Sequence, residues 1–495
     1  PIESTPAVAN YSLPYGSHPF RPSRTETHHG RFIPEKQLAQ SDDCASCHKD
    51  IAKQWQVSAH RHAADDPAYV TNIKLLIETQ GIAAARYCEG CHAPVALLSG
   101  QLSPGGTHGG IEGSPANVEG VGCVGCHGMN SIVDTKGVAS FEMGAPSSYL
   151  FSYSDSSIAQ SIRHQIIKLS PDMHRREMTP RGVNDSSFCA SCHVQFMDEE
   201  VNHWGWVQMQ DDYSAWLESP FSGLNSDEFG KTTTARCQDC HMPATVASDP
   251  SSNRDGSISA HYFTGANTML AMHFGHEQHL RRTKEFLRAG QLTITIEPPH
   301  RRDAVQTLQS IRESVRATSE TPAYVLVGDR VDISVTLSNR GVGHDFPGGT
   351  IDINEAWIEF LVIDGGGKEV YSSGKISGDD YSVLGVDPDA EFYRSRPVDR
   401  TGSLVWKHDL FRRTGIAEKR VIASGKSDLL RYEFAVPDWV APPLTIVASL
   451  KYRKLNDRYA RWALGDSYSD LPVVSLARDS IIVPVRTELD TRSID

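Results

Sequence analysis

The stretch Cys123–Val124–Gly125–Cys126–His127 decides how this 495-residue chain is organised. The same C-x-x-C-H pattern recurs four more times, and the five copies use all ten cysteines: Cys44/Cys47/His48, Cys88/Cys91/His92, Cys189/Cys192/His193 and Cys237/Cys240/His241. Two cysteines three residues apart can each form a thioether with a haem vinyl group, and the histidine that follows can ligate the iron as its proximal ligand. The sequence therefore predicts five covalently bound haem c groups.

One C-x-x-C-H motif alone is ambiguous, because C-x-x-C also occurs in zinc sites, thioredoxin-like redox centres and iron–sulfur clusters. Five copies together are specific for covalent haem attachment. The chain has 21 histidines in 495 residues, so a histidine after every one of the five pairs is not expected by chance. Zinc and cluster interpretations give no reason for that fixed histidine, whereas haem attachment requires it.

The length allows two or three domains, and the cysteines show where one begins and ends. We predict an irregular N-terminal arm over 1–40, a pentahaem cytochrome domain over 41–290 and a β domain over 291–495. The middle domain has about 50 residues for each haem, too few for an ordinary side-chain core. The haems must therefore supply much of its apolar interior.

Beyond residue 290 the hydrophobic pattern changes to a period of two. Val331, Ile333, Val335 and Leu337 alternate with polar residues in VDISVTL, and further segments of the same kind follow with turns between them. The expected fold class is α+β multidomain, in which a mostly helical and loop pentahaem domain is followed by an all-β immunoglobulin-like sandwich.

The net charge of −13 and a pI near 5.9 give no indication of binding to nucleic acid or to an anionic membrane surface. They favour a basic redox partner protein or an extracellular mineral or metal-ion acceptor. No run of 18 apolar residues predicts a membrane span. The first residues lack the pattern of a signal peptide, and haem c is attached outside the cytoplasm, so we expect an exported, periplasmic or extracellular protein whose signal has been removed.

The second axial ligands must come from the other histidines. HKDIAKQWQVSAHRHAA predicts a helix from His48 to about Ala64, on which His60 lies about 18 Å from His48. His60 therefore cannot ligate the iron that His48 holds. As a distal ligand it must reach another haem, which would lock two haems into one rigid geometry.

Four further histidines are candidate distal ligands. His164 lies on a predicted helix, and His174 follows it, with Pro180 allowing the chain to turn back before the fourth motif. His261 is close in sequence to the fifth motif. His344 lies in GVGHDFPGGT between two strands, so the β domain could donate it and be clamped to the haem domain.

The chain resembles the multihaem c-type cytochromes. The C-x-x-C-H and W-x-x-S-x-H run from Trp55 to His60 is similar to the cytochrome c554 and hydroxylamine-oxidoreductase-related group, and this resemblance implies that His60 serves a neighbouring haem. C-x-x-C-H-M-P, H-x-F-x-G-A-N and G-H-x-F-P-G-G are similar to large exported cytochromes with a β domain after the haems. That group implies an electron conduit, and some of its members form filaments in which one protomer lends a histidine to the next.

We expect an electron carrier rather than an enzyme, with closely packed, mainly bis-His haems, because two imidazoles close the iron and suit it to electron transfer. The alternative is a nitrite-reductase-like reductase or oxidase of a small nitrogen or sulfur compound, with one open haem. Pentahaem nitrite reductases usually attach their catalytic haem through C-x-x-C-K, whereas all five motifs here end in histidine. Filament formation is a hypothesis that rests on the irregular N-terminal arm and its histidines.

Overall fold

The structure is a computed structural model. It describes residues 18–101, 113–144, 149–227, 230, 233–302, 323–376 and 385–486. The first 17 residues of the predicted N-terminal arm lie outside the described residues. Within these ranges, no helix combines the length and the apolar character that crossing a bilayer requires.

Helices dominate the first 290 residues, and most of them are short. In chain order they are α1 (Glu35–Leu38), α2 (Ser41–Ala45), α3 (Lys49–Trp55), α4 (Pro67–Gln80), α5 (Arg86–His92), α6 (Pro94–Ser99), α7 (Pro115–Val118), α8 (Cys123–His127), α9 (Ser157–Leu169), α10 (Pro171–Glu177), α11 (Ser186–His193), α12 (Glu199–Asn202), α13 (Asp212–Glu218), α14 (Cys237–His241), α15 (Thr268–His273) and α16 (Glu277–Leu287). One more, α17 (Asp457–Leu464), lies within the β region.

Seven short strands form small sheets between these helices: β1 (Glu26–Thr27), β2 (Met129–Ile132), β3 (Phe141–Met143), β4 (Val194–Met197), β5 (Val207–Asp211), β6 (Ala244–Val246) and β7 (Ser257–Ser259). β1 pairs with β3, so the described part of the arm packs on its own chain. Phe20 is fully buried there, and the Arg24 guanidinium lies 2.6 Å from the Asp134 carboxylate.

The remaining strands form two antiparallel sheets and some shorter pairings: β8 (Leu292–Ile296), β9 (His300–Arg302), β10 (Val325–Leu326), β11 (Arg330–Asn339), β12 (Glu355–Ile363), β13 (Glu369–Ser373), β14 (Phe392–Tyr393), β15 (Ser395–Val398), β16 (Gly415–Lys419), β17 (Ser427–Ala435), β18 (Leu444–Arg453), β19 (Val474–Val483) and β20 (Val485–Arg486). One sheet has the order β17-β11-β8, with β9 also on β11. The other has the order β13-β12-β18-β19, with β14 also on β12.

The two sheets share one apolar core, as the alternating pattern predicts. Val331, Ile333, Val335 and Leu337 on β11 are all fully buried, while the residues between them are only partly so. β12 contributes Phe360, whose ring stacks on Tyr432 of the opposite sheet with centroids 4.0 Å apart. The expected fold class, helices and loops followed by a β sandwich, is confirmed.

The predicted boundary at 290/291 falls in the short connection between α16, which ends at Leu287, and β8, which begins at Leu292. The two regions are not independent in space, because α17 packs against α4. Tyr459 of α17 is buried in a cluster with Ala68 and Leu270 of the helical region. Thr71 adds a hydrogen bond from its hydroxyl to the Ala463 carbonyl, at 2.7 Å.

The helix predicted from His48 to about Ala64 is wrong in its second half, since α3 ends at Trp55 and turns follow. The cause is tertiary. The Trp55 indole donates to the Val121 carbonyl at 2.9 Å, and the Val121 amide donates to the His60 carbonyl at 2.8 Å. These bonds to the segment before the third motif hold the chain out of the helix and set the position of His60.

Candidate haem-binding centre

The five C-x-x-C-H motifs, numbered here in chain order, adopt the local structure that their spacing requires. Motifs two to five lie within α5, α8, α11 and α14, each of which ends at its motif histidine. In motif one, Cys44 belongs to α2, and the His48 amide donates to the Cys44 carbonyl at 2.9 Å. Residues three apart on a helical turn lie on one side, so both thiols of a motif can face one porphyrin edge.

Cys47 departs from this pattern, because it is a motif cysteine that lies outside a helix. It belongs to the turn that follows α2, which ends at Ala45, and its amide donates to the Cys44 carbonyl at 3.2 Å. The Ser46 hydroxyl lies 3.7 Å from the Cys47 sulfur. The bond to Cys44 continues the helical turn by one residue, so Cys47 keeps the spacing for which it was predicted to bind haem.

Cys240, the second cysteine of motif five, is exposed, whereas the other nine motif cysteines are partly buried. It lies within α14, on the same turn as Cys237. The predicted roles of all ten cysteines in haem attachment stay predictions that rest on their motifs.

The motifs also meet one another in pairs. Thiols of different motifs lie close enough to shift one another's pKa: Cys44 and Cys123, Cys91 and Cys192, and Cys189 and Cys237. Motif one therefore adjoins motif three, motif two adjoins motif four, and motif four adjoins motif five.

The ten cysteines, all of which lie in described ranges, form no disulfide. Burial raises the pKa of the Cys88 and Cys126 thiols to about 12. These two thiols are therefore neutral at neutral pH. A buried setting suits a thiol that lies beside the edge of a porphyrin.

Three motif histidines lie opposite a second imidazole at nearly the same distance. The ring centroids are 6.3 Å apart for His48 and His174, 6.2 Å for His193 and His60, and 6.4 Å for His127 and His261. A metal–imidazole bond is about 2.0 Å long and a ring centroid lies about 1.2 Å behind its nitrogen, so two rings on opposite sides of one metal have centroids about 6.4 Å apart. Each pair thus leaves the room that one haem iron would need.

The other two motif histidines lie near imidazoles of the β domain. His92 is buried, which lowers its pKa to about 4, and the nearby His408 contributes to this shift. Burial likewise lowers the pKa of His241, with a contribution from His344. His408 lies in the segment between β15 and β16, and His344 in the segment between β11 and β12.

Hydrogen bonds orient most of these rings through Nδ1. Four motif histidines hold Nδ1 near an acceptor: His48 at 2.8 Å from the Asp249 carboxylate, His92 at 3.1 Å from the Ala63 carbonyl, His127 at 2.6 Å from the Met178 carbonyl and His241 at 2.7 Å from the Thr264 carbonyl. A carbonyl or carboxylate can only accept, so Nδ1 carries the proton and Nε2 keeps its lone pair. This is the tautomer in which Nε2 can ligate a metal.

Three of the candidate distal imidazoles follow the same rule. His261 and His344 lie with Nδ1 2.8 Å from the Ser259 and Asp345 carbonyls, and His408 donates to the Asp352 carboxylate at 2.7 Å. In these three rings Nε2 therefore also keeps its lone pair for a metal.

His60 differs, because its Nδ1 is buried and finds no hydrogen-bond partner within the described part of the chain. Burial lowers the pKa of His60 to about 3, so the ring is neutral at neutral pH. The edge of Phe263 packs against it, with ring centroids 4.3 Å apart.

The predicted distal ligands fall into two groups. His60, His174 and His261 stand opposite motif histidines, and His344 lies near one. His261 faces the third motif, although its sequence position suggested the fifth. His164 has its Nε2 at 3.4 Å from both the Ser46 hydroxyl and the Asp43 carboxylate, so these contacts do not support its prediction as a ligand.

His408 is the candidate that sequence reasoning missed. It lies in WKHD, without the glycines that drew attention to His344, and nothing near it in sequence points to a haem. Its backbone φ of 56° is unusual for a residue other than glycine, but only the structure reveals this.

The family model described as "Cytochrome c554 and c-prime" matches residues 43–128, which include the first three motifs. No curated protein matches the chain significantly. Among solved structures, the penta-heme cytochrome c552 from Thermochromatium tepidum aligns with a TM-score of 0.53 and 18% identity, over 91% of this chain and 100% of that one. At this identity the alignment shows a shared fold.

The C-terminal domain of wzt (TM-score 0.18, 12% identity) covers 39% of this chain and 73% of its own. A putative beta-galactosidase from Bacteroides fragilis (TM-score 0.16, 9% identity) covers 39% of this chain and 17% of its own. Alignments at these scores carry no structural information.

Proposed function

We propose that this chain, a multihaem c-type cytochrome by its family match and its fold, transfers electrons through five haem c groups, one on each C-x-x-C-H motif. Each bound haem would supply a one-electron Fe(III)/Fe(II) couple. The ten cysteines would hold the five porphyrins, and the five motif histidines would be the proximal ligands. His174, His261 and His60 would be the distal ligands for motifs one, three and four, and His408 and His344 those for motifs two and five.

The observation that carries the proposal is the set of three imidazole pairs with centroids 6.2 to 6.4 Å apart. Two imidazoles on one iron leave no exchangeable position, and such a centre changes little on reduction. The reductase or oxidase alternative needs one open iron and a polar distal pocket. The histidines near His92 and His241 supply a candidate cap for each of the remaining two irons, so the contacts favour electron transfer.

The thiol contacts suggest how electrons would travel. Motifs one and three adjoin, motif four adjoins motifs two and five, and Cys126 of motif three lies close enough to Cys192 of motif four for that neighbour to raise its pKa. Motif four would therefore be the branch point of a chain that runs from motif one through motif three. Two of the three branches would end where the β domain supplies the distal histidine.

The β domain would act as a clamp on the haem domain. The segment that holds His344 is already attached to α13, because the Gly349 amide donates to the Asp212 carboxylate at 3.0 Å. Asn339 donates through its side-chain amide to the His344 carbonyl at 3.0 Å, which ties this loop to the end of β11. Ligation by His344 and His408 would fasten the sandwich at two points.

We propose further that the protein is exported and passes electrons to a redox partner protein or to an extracellular mineral or metal ion. Covalent haem attachment outside the cytoplasm supports export, and the net charge of −13 favours a basic partner or a metal-ion acceptor. Self-assembly into filaments stays a hypothesis. Each motif histidine already has a candidate distal partner in its own chain, so a histidine lent by a neighbour is not required.

The proposal is tested on the purified holoprotein with two measurements. Its mass should exceed that of the polypeptide by five haem groups, and the EPR spectrum of the oxidised protein should show only low-spin iron. Fewer haems would refute the count. A high-spin iron that binds added cyanide or nitrite would favour the enzyme alternative, and electron microscopy at high protein concentration would decide on filaments.

A further inference from the structure

Two further histidines, His62 and His276, have ring nitrogens in contact with each other. Neither belongs to a haem motif or to the candidate distal ligands. Nε2 of His62 lies 2.9 Å from Nε2 of His276. His62 holds its Nδ1 3.0 Å from the Asp65 carboxylate, so Nδ1 carries the proton and the Nε2 lone pair points at His276. The contact has the distance of a hydrogen bond, and neither the sequence pattern nor electron transfer assigns it a role.

The separation, that of a hydrogen bond, also lies at the short end of the range for two neighbouring ligands on one metal ion. Imidazole nitrogens about 2.0–2.1 Å from a metal, at angles between 90° and the tetrahedral value, lie about 2.8–3.4 Å apart. A carboxylate on the far nitrogen of a ligating histidine is the usual outer partner in such sites. Asp65 occupies that position on His62.

The pair is held in place before any ion binds. The Phe274 ring stacks on His62 with centroids 3.7 Å apart and an angle of 13°. Arg61 anchors the other oxygen of Asp65 at 3.3 Å. His62 is only 7% exposed, and His276 occupies the N-cap position of α16. Ordering the two rings would therefore cost little when a metal binds.

A third imidazole lies nearby. His279, one turn after His276, is 7% exposed, and its Nδ1 has no hydrogen-bond partner among the described residues. Burial lowers its pKa to about 4, with contributions from Arg282, His276 and His62. Two guanidinium groups lie near the site. Arg61 donates to the Asp65 carboxylate, and Arg282 packs over the Tyr262 ring.

We propose that His62 and His276 form a binding site for a divalent transition-metal ion such as Zn²⁺, Ni²⁺ or Cu²⁺. Neutral imidazoles suit these ions and not the oxygen-preferring Mg²⁺ or Ca²⁺. Over the described ranges, no three His, Cys, Asp or Glu side chains converge closely enough to enclose an ion. The remaining coordination positions are therefore open to water or to an exogenous ligand.

The test is isothermal titration of the chelator-treated holoprotein with Zn²⁺, which is redox-inert towards the haems. One site is expected. His276→Asn should weaken it at least about tenfold while keeping a favoured N-cap residue for α16, and Asp65→Asn should also weaken it by about tenfold. His273→Asn is the matched control, because His273 is exposed and three residues from His276.

Two results would overturn the proposal: no Zn²⁺ binding by the wild-type protein, or equal affinity in wild type, His276→Asn and Asp65→Asn. The visible haem spectrum of each variant verifies its fold. Zn²⁺ titration makes no use of the haem spin state, so failure here leaves the electron-transfer proposal to its own test.

Discussion

His408 holds its Nδ1 atom 2.7 Å from the Asp352 carboxylate, and both side chains are largely buried. Burial alone would raise the pKa of Asp352, but His408 and Arg413 hold it below its usual value. The carboxylate is therefore ionised at neutral pH. It accepts a charge-assisted hydrogen bond from the histidine that we assign to the haem of motif two.

An ionised acceptor makes an imidazole a stronger donor to iron and favours Fe(III). Asp352→Asn should therefore raise the midpoint potential of one haem by a few tens of millivolts, where about 59 mV corresponds to a tenfold change for one electron. A spectroelectrochemical titration measures it. Asp389→Asn, at an exposed carboxylate of the same domain, is the control, and equal potentials in wild type and Asp352→Asn would contradict the assignment.

His60→Gln should leave all five haems attached and convert one low-spin iron, that of motif four, to high spin. The reason is that the ring centroids of His60 and His193 lie 6.2 Å apart, which leaves room for one iron between the two imidazoles. EPR of the oxidised variant measures the change. His164→Gln is the control, because His164 contacts Asp43. An unchanged spectrum for His60→Gln would refute the assignment of His60 as a distal ligand.

The clamp makes a separate prediction about stability. His344→Gln and His408→Gln should each convert one haem to high spin, and each should lower the midpoint of thermal unfolding by roughly 5 °C, because an attachment between the two domains is lost. Calorimetry and EPR measure the two effects. His300→Gln changes an exposed histidine of the same domain and should change neither.

If the variants at His344 and His408 stay low-spin, the β domain donates no ligand. In that case a lower unfolding midpoint would reflect only packing in the sandwich.

The haem motifs were predictable because their chemistry is local, with two cysteines and a histidine on one turn. The β sandwich was predictable because Val331 to Leu337 alternate along a strand that buries one face. The positions of the candidate distal ligands depend on contacts between distant parts of the chain. His60 leaves the predicted helix because of a bond to Val121, and His261 faces His127 rather than the fifth motif. No local pattern encodes such contacts, and His408 was missed for that reason.

Glu119 gives a prediction about pH. The carboxyl accepts hydrogen bonds from the Ser41 hydroxyl at 2.6 Å and the Ser41 amide at 3.3 Å, beside the thiols of motifs one and three. Burial raises its pKa from 4.5 to about 7. The folded protein therefore binds a proton more tightly than the unfolded chain, so this contribution to stability is complete below about pH 4.5 and is lost as the pH rises through 7.

Glu119→Gln keeps an oxygen acceptor for Ser41 and removes the titration. The wild-type protein should lose up to about 3 kcal/mol of stability between pH 4.5 and 7.5 that the variant keeps. Denaturant unfolding of both holoproteins across this pH range measures the difference. Glu78→Gln, on the exposed face of α4, should follow the wild type. Parallel pH profiles for wild type and Glu119→Gln would show that the carboxyl is not protonated in the folded protein at neutral pH.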